Sequence, residues 1–437
     1  MARFLVCTIP ITGHIGPGLP IARALVERGH EVKWYTGRKF RAKVEATGAH
    51  FEPLRAAPDY DDEDLEAMFP GISRLTGLKA FKFGAKHLFL DPASRQLEDL
   101  ERILSGFPAD VLLSDTAFVG SLFAHEKGGP MRAVYGISPL TLASRDTAPF
   151  GLGLPPSSSS LGRLRNRALH ALFDRVLFRD VNVYYDRVRA EAGLGPSQAG
   201  LLNDAVSAHL YLQGTTQLFE YPRSDLPPQV HFIGPFLPGP SPDFVPPAWW
   251  EEMVEERRPV VHVTQGTAAT EADQLLVPTL RVLADEDVLV VATTGGKPVE
   301  GLGLDALPAN VRVEKFIPHY HLLRHVDVMV TNGGYGGVQI ALANGVPLVA
   351  AGRTEEKPEV CARVEWSGAG INLKTNRPAP DRIRRAVRSV LSEPRYKRNA
   401  ARIQADFARH DAPTEAAVLL EKLGTTKRPI KSSSARP

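Results

Sequence analysis

Cysteine is scarce. The 437 residues hold two, Cys7 and Cys361, with no Cys-x-x-Cys pair and no zinc-ligand spacing. That excludes a disulfide framework and a structural zinc site, and it fits a reducing compartment. Charge of one sign is also missing. Lys plus Arg number 52 and Asp plus Glu 49, a net charge of +3. Such a balance excludes a chain-wide footprint for nucleic acid and leaves only a local basic patch. No apolar run approaches the roughly 20 residues of a membrane span. The opening Met1 to Ile11 is apolar but short, and the Thr-Gly-His-Ile-Gly after it shows no small-x-small cleavage pattern. No Asn-x-Ser/Thr sequon occurs. These absences predict a soluble cytoplasmic protein. Two phosphate-binding signatures are absent as well. Gly-x-Gly-x-x-Gly fails at Gln339 after Gly334 and Gly336, and at Ile21 after Gly16 and Gly18. Gly-x-x-x-x-Gly-Lys-Ser/Thr fails at Pro298 after Gly296-Lys297. A nicotinamide oxidoreductase and a P-loop enzyme are therefore disfavoured.

What is present is an alternation of short apolar runs and helical patterns. Apolar residues make up 43% and charged residues 23%, so the chain can bury cores. Arg3 to Ile9 reads as a buried strand, Pro10 to Pro17 as a Gly/Pro loop, Leu19 to Arg28 as a helix and Glu31 to Tyr35 as a second strand. Asp110 to Leu113 followed by Gly120 to Glu126 repeats the unit. The acidic run Asp59 to Glu66 reads as a solvated loop or helix start. Pro235 to Pro247 reads as a semi-stiff linker, because its prolines resist helix and sheet pairing. After it the pattern restarts with strands at Val260 to Thr264, Val288 to Ala292, Asp327 to Thr331 and Pro347 to Ala350. The expectation is α/β: two doubly wound parallel-sheet domains facing a cleft. The first spans 1–238, the linker 239–250, the second 251–424, and 425–437 is a frayed tail.

Ligands of such sheets sit beyond the carboxyl ends of the strands, where the glycine loops fall. Gly333-Gly334-Tyr335-Gly336-Gly337 stands between a strand and a helix. Four glycines in five residues let backbone amides approach a phosphate, and they exceed what a tight turn needs. His14 follows the first strand, where a neutral imidazole faces the cleft as a candidate base. Asp115 follows Asp110 to Leu113 at the same sheet edge and is a candidate orienter. The bland alternative is an exposed loop histidine, with thirteen histidines offering chance pairings. The arginine-rich Leu161 to Glu191 reads as a solvated surface helix, with contact to an anionic lipid surface as the sharper alternative.

These residues resemble the nucleotide-sugar-dependent glycosyltransferases of the two-Rossmann-domain GT-B fold, the plant, bacterial and macrolide family. The resemblance covers nearly the whole chain. It implies His14, in Gly13-His14, as catalytic base and Asp115, in Leu113-Ser114-Asp115, as its orienter. It implies Val263-Thr264-Gln265-Gly266-Thr267 near the donor phosphates. Phe316-Ile317-Pro318-His319 matches the segment that holds uracil, with His319 in place of Gln. The donor motif His-x-Gly-x-x-Ser/Thr-x-x-Glu is set on Asn332 to Gln339. Its histidine becomes Asn332, which cannot be cationic, and its glutamate becomes Gln339. The Asp-Gln pair for sugar hydroxyls falls on Glu356-Lys357.

The implied reaction is inverting, metal-independent transfer from a UDP- or dTDP-sugar, with no cofactor beyond that co-substrate. The implied acceptor is a small lipophilic molecule such as a polyketide, macrolide, flavonoid, sterol or lipid. Ile11, Thr12, Phe118 and Leu140 are candidate acceptor contacts. Phe69, Leu75 and Phe81 are further apolar candidates, with core packing as the plain alternative. Asn332, Gln339 and Lys357 keep open an inactive auxiliary protein of this fold, or a sugar-nucleotide epimerase or hydrolase. The implied partners are the acceptor and the nucleotide sugar, with no nucleic acid and no membrane insertion.

Overall fold

In the computed structural model, residues 1–75, 77–241, 243–266, 272–304 and 306–432 are described. Strands β1 (Arg3–Cys7), β2 (Glu31–Thr36), β3 (His50–Pro53), β4 (Val111–Asp115), β5 (Met131–Gly136), β6 (Leu210–Gln213) and β7 (Val230–Phe232) form one sheet. Its seven strands run β3-β2-β1-β4-β5-β6-β7, every pair parallel. Strands β8 (Val260–Thr264), β9 (Leu289–Thr293), β10 (Val311–Glu314), β11 (Val328–Thr331), β12 (Leu348–Ala350) and β13 (Gly370–Asn372) form a second. Its six strands run β10-β9-β8-β11-β12-β13, again all parallel.

The central strands are mostly apolar and buried because both faces are covered. Phe4 and Val6 enter one core while Leu5 and Cys7 enter another, which is the period-two alternation of a strand buried on both sides. The second sheet repeats this, with Met329 on one face and Val328 and Val330 on the other. In both sheets the strand order reverses beside the first strand, between β1 and β4 and between β8 and β11. A crevice opens at such a reversal, at the carboxyl ends of the strands. The two α/β domains expected from the sequence are thus present.

Three local readings change. First, the helix after β1 is Thr12–Glu27, so Pro10 to Pro17 is not a loop and His14 lies in the helix's first turn. Pro17 and Pro20 lie inside this helix, and each leaves the carbonyl four residues before it without a helical amide partner. Second, the proline-rich linker expected over 239–250 is not a free spacer where it is described. Phe244 stacks on His321 at 4.6 Å, Trp250 packs on Phe244 and His325, and the Trp249 indole donates to Glu314.

Third, helix Ala412–Thr426 leaves the second domain and packs beside helix Thr12–Glu27 on the first sheet. Glu421 there accepts from Arg28 at 2.6 Å and pairs with His30 at 2.7 Å. The tail continues this docking. Ile430 is buried, its amide donates to the His209 carbonyl, and Ser432 donates to the Pro228 carbonyl. Residues 412–432 thus pack with the first domain, whereas the sequence assigned 412–424 to the second domain and called 425–437 frayed. Amphipathic helices carry no label for the sheet they cover, which is why the sequence missed it. Residues 433–437 lie outside the described residues.

Candidate active site

The first crevice is built around Asp115, the last residue of β4, which is wholly buried. Its Oδ1 lies 2.8 Å from His14 Nδ1 and accepts from the Ala117 amide at 2.7 Å. Its Oδ2 accepts from the Ile9 amide at 3.1 Å. A carboxylate only accepts, so His14 Nδ1 carries the proton and Nε2 presents a lone pair. The His14 carbonyl accepts from Tyr135 Oη at 2.7 Å, so the residue is held at backbone and ring. Only 12% of its side chain is exposed.

The helix that carries His14 starts without a capping side chain of its own. Asp62, from the acidic run, supplies one by accepting from the Thr12 amide at 2.7 Å. Lys39 gathers Asp61, Asp62 and Glu63 around its ammonium. Burial would raise the Asp62 carboxyl, but the Thr12 contacts and Lys39 win and hold it below the usual range. The acidic run is therefore a brace for the His14 helix, which spacing alone did not reveal.

Beside His14 stands Phe89, ring centres 6.2 Å apart, on the π-helical segment Gly84–Leu90. Such segments are rare and recur at functional sites. Phe81 joins it, packed on Phe150 and Phe178. Ile11 is half-buried against the same core. Phe118 and Leu140, expected to touch an acceptor, are instead buried. Phe118 packs edge-on to Tyr35 at 5.8 Å, and Leu140 lies within a small core under β5 and β6. Core packing accounts for both.

The second crevice holds Gly266 after β8 and Asn332 after β11. The Asn332 amide nitrogen donates to the Gln265 carbonyl, and its Oδ1 accepts from the Gly334 amide. It thus staples the two glycine turns together. Gly333 has φ +84°, and a Cβ there would lie 2.5 Å from Cys361 Sγ, so glycine is required on both counts. The helix Tyr335–Ala343 begins immediately after, and its first amides have no partner within the helix. Thr267 lies outside the described residues. Phe316 is 65% exposed, an open aromatic face. His319 is half-buried, its ring beside Gly337.

Glu356 and Lys357 open the helix Lys357–Trp366. Lys357 pairs with Glu355 and lies 3.3 Å from Thr354. Burial opposes its charge, but Glu355 and Glu356 raise its pKa. Burial also pushes the Glu356 carboxyl up, against the lowering pull of Lys357 and of the Tyr335 amide. Gln339 does not face this crevice. It is buried between the domains, accepting from Thr215 at 3.2 Å and donating to the Gly214 carbonyl at 2.5 Å. The motif as spelled ends on Ile340, one residue beyond Gln339, so the donor glutamate has an apolar counterpart here. Helical spacing explains the difference, since adjacent residues point about 100° apart.

A cavity of about 550 Å³ includes none of these residues. It lies between β7 and the returning helix, lined among others by His231, Asp406, His410 and Glu415. Among the described residues, no cluster of three His, Cys, Asp or Glu is placed to hold a metal. No described helix is long and apolar enough to cross a membrane.

Residues 278–423 match the family described as "Erythromycin biosynthesis protein CIII-like, C-terminal domain". The 4'-demethylrebeccamycin synthase of Lentzea aerocolonigenes is 53% identical over 423 residues, 97% of this chain and 99% of that protein. UDP-glycosyltransferase 2 of Phaeomoniella chlamydospora is 36% identical, over 93% of this chain and 92% of that protein. Among solved structures, the glycotransferase of kitacinnamycin superposes with a TM-score of 0.72 at 23% identity, covering 96% of this chain and 98% of its own. That likeness concerns the fold.

Proposed function

The chain belongs to the GT-B glycosyltransferases of natural-product type, and from that premise we propose that it is an inverting enzyme using His14 as general base. The donor is a UDP- or dTDP-sugar and the acceptor a small lipophilic molecule. One observation carries the reading: His14 Nδ1 held 2.8 Å from the buried Asp115 at the strand-order reversal of the first sheet.

In the reaction, the acceptor's O–H or N–H proton passes to His14 Nε2. The acceptor lone pair forms a bond to the anomeric carbon. The bond from that carbon to the diphosphate oxygen breaks on the opposite face, and its electron pair leaves with the diphosphate. Asp115 remains ionised and stabilises the imidazolium. The backbone amides of Gly336 and Gly337 in the first turn of helix Tyr335–Ala343, with the Asn332-stapled turns, meet the leaving charge as preorganised dipoles. Phe316 offers a stacking face for the base. Glu356 and Lys357 serve the sugar hydroxyls. Phe89, Phe81 and Ile11 form the apolar wall for the acceptor.

The test is a donor and acceptor assay with UDP- and dTDP-sugars. Product anomeric configuration is read by NMR on wild type and His14→Ala. Inversion in the wild type, with turnover lost and donor binding kept in the variant, supports the reading. Retention of configuration, or an unaffected variant, overturns it.

A further inference from the structure

His262 sits at the centre of β8, wholly buried, and takes no part in the reaction above. A buried imidazole must have partners for both nitrogens. Its Nδ1 is 2.9 Å from the Val291 carbonyl on the neighbouring strand β9. A carbonyl oxygen only accepts, so Nδ1 carries a proton. Burial, with His319 beside it, holds the His262 pKa down to about 3, so the ring is neutral and Nε2 is a bare acceptor. That acceptor faces His319 Nε2 at 3.3 Å, with the two rings crossed at 77°. His319 Nε2 must therefore donate. Burial holds His319 neutral as well, its pKa down to about 4, so its Nδ1 is a lone pair. The chain of roles starts at a backbone carbonyl and ends at one ring nitrogen.

Among the described residues no hydrogen bond to that nitrogen is present, and His319 is half-buried. The His319 Cε1 atom, next to Nδ1 in the ring, lies 3.9 Å from where a Cβ on Gly337 would stand. His319 is thus beside the Gly333 to Gly337 loop and three residues from the exposed Phe316 face.

We propose that His262 is a positioning residue that fixes His319 as its Nε2–H tautomer, so that Nδ1 accepts one hydrogen bond from the nucleoside of the donor. The inference rests on the nucleotide-sugar reading. The recognised chemistry is an N–H or O–H donor. Two groups of a UDP-sugar supply it, the base N3–H and the ribose hydroxyls. A nucleoside that offers only a lone pair at that point meets lone pair against lone pair and is rejected.

The experiment titrates UDP, N3-methyl-UDP and 2'-deoxy-UDP into wild type, His262→Leu, His262→Gln and His319→Ala, and records imidazole ¹⁵N shifts of the wild type. The expected spectrum shows His319 protonated at Nε2. His262→Leu should weaken UDP by roughly two- to tenfold, the worth of one neutral hydrogen bond. The loss should appear in the donor KM with kcat kept, and Gln, whose carbonyl can accept from His319, should restore it. In wild type, N3-methyl-UDP loses affinity if the base is read, and 2'-deoxy-UDP if the ribose is. His319→Ala should erase whichever difference appears. A folded His262→Leu that binds UDP as tightly as wild type overturns the proposal, as does an Nδ1-protonated His319. If His262→Leu does not fold, the ¹⁵N spectrum and the His319→Ala comparison decide. Absence of any nucleotide binding to wild type overturns the donor reading itself, a separate result from loss of the His262 effect alone.

Discussion

Glu220 of the first domain accepts from Arg363 of the second at 2.8 Å, both side chains almost wholly buried. Arg363 also donates to Glu359 at 2.9 Å and stacks over Tyr221 at 3.9 Å. Glu359 in turn accepts from the amides of Gly151 and Gly153. The helix that opens on Lys357 is therefore bolted to the first domain through Glu359 and Arg363. Breaking one partner leaves an uncompensated buried charge. Arg363→Leu should cost about 3–5 kcal/mol in urea unfolding. The Glu220→Leu/Arg363→Leu pair should cost less than the sum of the singles, because Glu220 and Arg363 then no longer orphan each other and only Glu359 and Arg223 lose a partner.

Asp115→Asn should separate orientation from binding. Asparagine has one acceptor oxygen where the carboxylate has two. With that oxygen toward His14 and Ala117 its NH2 meets the Ile9 amide donor, and flipped, its NH2 faces His14 Nδ1 and the Ala117 amide. The wrong tautomer of His14 then becomes available. Turnover should fall at least about a hundredfold. Titration with UDP should find donor affinity unchanged, since the elements proposed to hold the donor lie on the other sheet.

Acid should destabilise the fold through the His262–His319 pair. Both folded pKa values, about 3 and about 4, lie below the ordinary value of 6.5. Below 6.5 the unfolded chain takes up protons that the folded chain refuses. Stability is therefore full above pH 6.5 and declines as the pH falls toward 4, by up to about 1.4 kcal/mol per unit for each histidine. Urea midpoints measured from pH 7 to pH 4.5 should drop, and His262→Gln should flatten the slope.

Gly333→Ala should damage the glycine loop proposed to meet the donor. The new Cβ meets Cys361 Sγ at 2.5 Å and sits at a φ of +84°. The strain is on the order of 1–3 kcal/mol. Relief requires the turn stapled by Asn332 to shift, so UDP binding by calorimetry should weaken together with thermal stability. Gly336→Ala, where nothing lies within 4 Å, should be far milder for the fold.

The sequence by itself determined the architecture and which residues meet at the strand ends. Strands apolar on both faces demand a covered parallel sheet, and parallel strands demand crossovers. The reversal in strand order then brings the ends of β1 and β4 together. His14 and Asp115 follow from that logic, because each is anchored to the end of a strand. So do Gly266 and Asn332 on the second sheet. Tertiary structure alone decided what depends on a partner from elsewhere in the chain. Gln339 turns toward Thr215 and not toward the glycine loop, because one helical step redirects a side chain by about 100°. Phe118 and Leu140 are core, because an apolar residue looks the same in sequence whether it lines a pocket or fills a gap. Helix Ala412–Thr426 covers the first sheet, because its apolar stripe fits any covered sheet and only the returning chain selects which. His262 and His319 meet through space, 57 residues apart, on a strand and a helix start that local pattern treats as unrelated.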